Sequence, residues 1–280
     1  MTFADVLTPV AIGAGTVAAA QVLSWAARRG SLDPLVFDLN RPDDHHVVDL
    51  VPVARDARVA GGMFKTSEGL YGQYTEWWVA QWKAAAAASA AARPWPWQVL
   101  RRGPHHYLTN QDGRAQADRC ADVVDAAGGL AHTDFGPWVD IEHAAYVAQY
   151  QLADASKQQL LDVALSCTER LRERLGRPVT WYVSTSLLEE KGITKADLRG
   201  LVWKIVVADY NPTLDRAKYE RVGFSVGDLW GWQYNGVTGA GVSEGQLAGY
   251  PTSLPGLGEV DLTAMQIDPL EACAPLRFFA

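Results

Sequence analysis

The chain has 280 residues, 48% of them hydrophobic, enough to bury either one large α/β barrel or two smaller domains. Its net charge of −7 and the lack of any dense Lys/Arg stripe argue against a nucleic-acid partner. Three cysteines, Cys120, Cys167 and Cys273, lie far apart with no CxxC pair, which argues against a disulfide framework or a thiolate zinc site and leaves a single disulfide open.

The N-terminal segment carries no charged residue between Asp5 and Arg28. It starts MTFAD, without the basic opening of a signal peptide, and is poorer in Leu, Ile and Phe than a spanning helix. The expectation is an N-terminal helical extension over residues 1–30, with an Ala-rich helix at 14–29 packed on the domain or on a partner. Residues 31–280 then form the main unit. Strands alternate with helices from there on. PLVFDLN is a short apolar run ending in polar residues, so a strand and its loop, and VAGGMFKTSEG repeats that shape with Gly69 opening the loop. EWWVAQWKAAAAASAAA is helical by propensity and is stopped by the prolines of RPWPW. GPHHYLTN reads as a strand, and DGRAQADRCADVVDAAGG as a helix capped by Asp112 and ended by Gly-Gly.

The next strand, PWVDIEH, sets two carboxylates one residue apart. Alternate side chains of an extended strand share a face, so Asp140 and Glu142 stand together while Val139 and Ile141 face the opposite way. Mutual repulsion raises the proton affinity of one of them. SKQQLLDVALSCTERLRERLG has apolar residues at helical spacing and ends in glycine. PVTWYVS, LVWKIVVADYN, LWGWQYN and EVDLTAM read as further strands, with a loop containing some helix at PTLDRAKYERVGFSVGD. The alternation implies a parallel sheet, and this many units a barrel, whose chemistry gathers at the C-terminal strand ends. Acidic residues recur at that end: Asp38, Glu68, Asp140 with Glu142, Asp209 and Asp261.

In order, these motifs resemble glycoside hydrolase family 25, the lysozymes that act as N-acetylmuramidases. FDLN stands in place of the first-strand DxS, and FKTSEG is similar to KATEG. GPHHYL echoes GxYHF, and VDIEH the central DxE. WYVS, KIVVADY, Trp232–Gln233–Tyr234 and VDLT complete a set of eight motifs over roughly residues 35 to 265. Two departures are Asn40 in place of serine and His105 where tyrosine is common. The resemblance implies an irregular, flattened TIM-like β/α barrel hydrolysing the β-1,4 bond between N-acetylmuramic acid and N-acetylglucosamine, without metal or cofactor. It implies Glu142 as general acid. Asp140 would stabilise positive charge or orient the substrate acetamido group, with Asp209 across the cleft and Asp38 on its floor. Tyr107, Tyr182, Trp232 and Tyr234 would line the sugar groove with Glu68 and Asp261. The partner would be peptidoglycan glycan strands at the cell wall. A bacteriophage origin, as an endolysin or a virion-associated lysozyme, fits the N-terminus, with residues 1–30 attaching to a phage structural component.

Plainer readings stand beside these. Asp38 and Asp261 can cap strand ends, Glu68 can bind the neighbouring backbone, and the aromatic residues can be core. The doublets His45–His46 and His105–His106 offer only one ligand per strand face, so a metal site is disfavoured. The rival functions are a catalytically weak wall-binding or structural barrel and a metal-dependent phosphodiester hydrolase.

Overall fold

The computed structural model describes residues 34–39, 46–71, 75–92, 99–143, 148–198, 200–210, 216–237, 243–244 and 250–266. The expected N-terminal helix, Asn40, His45, the PWPW turn and Cys273 lie outside them.

Seven strands run parallel in chain order: β1 (Leu35–Leu39), β2 (Val59–Glu68), β3 (Arg101–Tyr107), β4 (Trp138–Ile141), β5 (Thr180–Ser184), β6 (Lys204–Ala208) and β7 (Leu229–Val237). An eighth, β8 (Asp261–Met265), pairs antiparallel with both β1 and β7 and closes the barrel. Most of these strands are near-continuous apolar runs because both faces are covered, the outer by helices and the inner by the barrel's own filling. The α/β barrel expected from the alternation is what forms. It is irregular, since its closing strand is antiparallel and bulges interrupt several ladders.

The helices outside the barrel are α1 (Val51–Ala54), α2 (Thr75–Ala92), α3 (Gly113–Ala126), α4 (Lys157–Leu175), α5 (Thr185–Lys191) and α6 (Arg216–Arg221). Their ends follow from the sequence. Asp112 caps α3 by accepting from the Ala115 N–H at 2.7 Å. Ser156 and Gln159 form a capping box at the start of α4, and Gly176, at φ 63°, ends it in the left-handed conformation. Two apolar layers join helices to strands. One packs Val139, Ile141, Trp181 and Val207 against α3 and α4. The other packs Phe37, Phe64 and Leu262 against α2 tryptophans. Among the described residues no helix is long and apolar enough to cross a membrane.

Inside the barrel, the N-terminal half is plugged by Val36, Met63, Phe135, Trp138, Val206 and Trp230. Gly103 makes room for this plug: a Cβ there would stand 2.4 Å from the Met63 sulfur. On the outer face of the same strand, Arg102 grips Asp134 through two contacts, 3.0 and 2.8 Å, and lies over the Trp82 ring of α2. Among the described residues, the plug fills that half of the barrel and leaves the mouth at the C-terminal strand ends open. Cys120 and Cys167 are buried free thiols in the helical layer.

Candidate active site

The parallel strands deliver their C-terminal residues to one rim. Asp38 ends the inward row of β1, Lys65 and Glu68 lie toward the end of β2, and His105 and Tyr107 end β3. Asp140 ends the inward row of β4, with Glu142 one residue beyond the strand, and Asp209 follows β6. Asp261 reaches the same rim because β8 runs antiparallel and pairs it with Asp38. The split of PWVDIEH is as alternation requires. Val139 and Ile141 pack outward, while Asp140 is buried inside at 2% exposure and Glu142 emerges half-buried at the mouth.

At the centre of this rim is His105, fully buried. Its Nδ1 lies 2.8 Å from Asp38 Oδ2 and its Nε2 3.3 Å from Asp140 Oδ2. Neither contact is aligned as a hydrogen bond, so the linkage is charge on charge. Burial alone would favour a neutral ring, but the charges of Asp38 and Asp140 overcome it and push the imidazole up to about 10. Burial raises the proton affinity of Asp140, and the imidazolium offsets only part of that, so the net displacement is upward. Lys65, on the next strand, pairs with Glu68 at 2.9 Å and sits 3.7 Å above the Tyr107 ring.

Glu142 differs from its neighbours. The charge of Asp140 first, and then desolvation, push its carboxyl up to about 8. It keeps its proton at neutral pH, and the charge of Asp140 beside it is the first cause. The two share a strand end, and both are displaced upward, Glu142 mainly by its neighbour's charge and Asp140 mainly by burial.

Glu142 opens into a cleft of about 510 Å³ whose walls include His143, Ser184, Asp209, Tyr210 and Lys218. Asp209 is anchored from three sides. Its N–H donates to the Gln233 carbonyl at 3.1 Å, its carbonyl accepts from Trp232 Nε1 at 2.6 Å, and its Oδ1 accepts from Lys218 Nζ at 2.8 Å. Asp38, Asp140 and His105 lie beneath the cleft rather than on its walls.

The expected aromatic groove needs correction at two positions. A bulge in β7 pairs Val206 with Gly231 after Ile205 with Leu229, which turns Trp230 and Gln233 inward and sends Trp232 and Tyr234 to the outer layer. Tyr234 has no exposed surface and donates its hydroxyl to the Pro251 carbonyl at 2.8 Å. Trp232 supports Asp209 from behind and offers no platform to a sugar. Tyr107 and Tyr182 do face inward, and the Tyr182 hydroxyl donates to Gln233 Oε1. Glu68 is buried against Lys65. Gln233, Lys65, Tyr210 and Lys218 join the site without being marked by the sequence pattern. Gln233 belongs to the Trp232–Gln233–Tyr234 motif, but a strand bulge decides which way it points.

No family model matches this sequence, and no curated protein does. Solved structures do match. The bacterial lysozyme of Streptomyces coelicolor superposes with a TM-score of 0.61 at 18% identity, covering 89% of this chain and 100% of that one. A family 25 glycosyl hydrolase from Bacillus anthracis gives 0.58 at 16% identity, over 85% and 91% of the two chains. A family 25 lysozyme from Aspergillus fumigatus gives 0.57 at 15%, over 86% and 97%. The chain therefore has the fold of the family 25 lysozymes, as its motif order suggested.

Proposed function

We propose that this protein hydrolyses the β-1,4 bond between N-acetylmuramic acid and N-acetylglucosamine in bacterial peptidoglycan. The observation that carries this is Glu142: a carboxyl that stays protonated at neutral pH, at the mouth of a cleft, next to anionic Asp140. Glycosidic cleavage needs a proton for a poor leaving oxygen and negative charge beside the developing oxocarbenium ion. Glu142 gives its proton to the glycosidic oxygen as the bond to the anomeric carbon breaks. Asp140 stabilises the positive charge that develops or orients the substrate acetamido group. Asp209, held by Lys218, faces the same cleft from the β6 side. Water completes the reaction, its proton passing to Glu142 and restoring the acid. Asp38 acts beneath the cleft through its charge. The lysozyme fold supports the substrate class, and the carboxylate geometry supports the reaction type.

A metal-dependent reading fits less well. Both nitrogens of His105 face carboxylates, and His106 turns outward with its Nδ1 2.8 Å from the Ser67 hydroxyl. Among the described residues no trio of His, Cys, Asp or Glu is arranged to hold a metal.

The test is release of soluble fragments from purified peptidoglycan, with and without chelator, alongside Glu142→Gln. Release that survives chelation and is lost in the variant supports the proposal. Tight wall binding with no release points to a non-catalytic barrel, and chelator-sensitive release to metal chemistry.

A further inference from the structure

Two carboxylates on opposite nitrogens of one imidazole leave little freedom in how that ring is protonated. A neutral imidazole carries one N–H and one lone pair. A neutral ring, in either tautomer, would leave two carboxylate oxygens at 2.8 and 3.3 Å from its nitrogens without a cation between them, in a site that is 1% exposed. Only the doubly protonated ring supplies the positive charge that both neighbours face. If instead one carboxylate took up a proton, the cluster would lose the anion that keeps the proton of Glu142 in place.

We propose that His105 is a positioning residue held as an imidazolium, which keeps Asp38 and Asp140 together as carboxylates beneath the cleft so that the exchangeable proton of the cluster resides on Glu142. The part assigned to proton placement rests on the hydrolase reading; the charge state of the ring does not. The surroundings bear the assignment out from each side. On β1 and β4 the facing groups are the two carboxylates. On β2 the nearest charge is Lys65, already compensated by Glu68 at 2.9 Å. Tyr107 and Tyr182, the ring neighbours on β3 and β5, pack against the imidazole at centroid distances of 4.7 and 5.7 Å and carry no charge at neutral pH. Toward the cleft, Glu142 is the protonated, neutral member, its proton held by the charge of Asp140 against the smaller opposing effect of His105, and Asp261 sits beside Asp38 on β8. The field at His105 is therefore negative overall. Its chain neighbour His106 shows the contrast. Burial first, with the cation of His105 adding to it, depresses His106 to about 3, so the two halves of the doublet carry opposite protonation states.

The imidazolium also limits the cluster's own repulsion. Two buried carboxylates without a cation between them share a proton, and the shared proton then competes with the one on Glu142.

The test reads the ring itself in the full-length protein. With 15N-labelled histidine, the His105 resonances, identified by their loss in His105→Gln, should keep imidazolium shifts from pH 5 to pH 9. In Asp38→Asn, which removes one of the two anions, the ring should titrate at least one pH unit lower than in the unaltered protein. A ring that is neutral at pH 8 in the unaltered protein, or one indifferent to Asp38→Asn, overturns the proposal. The second readout is the pH–rate profile of peptidoglycan hydrolysis by His105→Gln. Its acidic limb should move up by about one pH unit or more, with kcat reduced at least about tenfold and KM within about threefold. An acidic limb that stays in place removes the positioning role even if the ring is charged. Absence of hydrolysis in the unaltered protein defeats the hydrolase reading alone, because the resonances report the ring with no substrate present.

Discussion

Replacing Asp140 by asparagine keeps the side chain's shape and removes the charge that most strongly holds the proton on Glu142. That carboxyl stands at about 8 against an ordinary 4.5, a displacement worth at most about 5 kcal/mol of disfavoured ionisation at 1.36 kcal/mol per unit. Glu142 is half-buried at the cleft mouth, so solvent screens part of this. The charge of Asp140 is the largest cause and burial the second. Assigning roughly half of the displacement to the charge predicts that Glu142 in Asp140→Asn titrates about two units lower, near 6. His105 works in the same direction, since its positive charge already lowers Glu142 and stays anchored by Asp38. The assay is a titration of the Glu142 side-chain carboxyl by 13C NMR, its resonance assigned by disappearance in Glu142→Gln. It needs no activity, so it works even if the variant is inert. Glu142 titrating near its ordinary value in the unaltered protein, or failing to move in Asp140→Asn, refutes the electrostatic reasoning.

Other outcomes follow from the same structure. A carboxyl whose folded proton affinity is raised stabilises least once it is forced to ionise. The contribution of Glu142 is thus lost as pH rises from its ordinary value through about 8. Glu142→Gln should match the parent in thermal stability at pH 4 and exceed it at pH 9 by about 2 kcal/mol, or roughly 4–8 °C. Equal melting temperatures at pH 9 contradict this. Hydrolysis by the same variant should fall by about 10²–10⁴-fold at neutral pH. Lys218→Met removes the ammonium 2.8 Å from Asp209. It should cost under about 1 kcal/mol of stability, as the lysine is partly exposed, yet reduce hydrolysis several-fold because Asp209 loses its fixed orientation. Asp134→Ala strands the Arg102 guanidinium at the far end of the barrel. Calorimetry should show a loss of about 3 kcal/mol or more, with the pH–rate profile unchanged.

Much of the architecture was legible because the barrel's strands are buried on both faces and its helices carry their own caps. Asp112, Ser156 and Gly176 mark helix ends by local chemistry that needs no tertiary context. The pairing of Asp140 and Glu142 was legible for a similar reason, since alternation is a property of any extended strand. The β7 bulge was not. It depends on how β7 matches β6 and β8 at once, and one extra residue exchanged the faces of Trp232, Gln233 and Tyr234. His105 lay between these cases. Its separation from His106 onto opposite faces followed from alternation, but its partners come from β1 and β4, and only the closed sheet brings them to one ring. Lys218 was hidden for the same reason, because it reaches Asp209 from a helix that follows the strand.

Purified peptidoglycan digested with the protein, reduced with borohydride and resolved by mass identifies the sugar whose anomeric carbon was released. Muramic acid converted to its alditol at the new ends is the predicted product of Glu142 protonating the oxygen on its far side. Glucosamine alditol at those ends contradicts it.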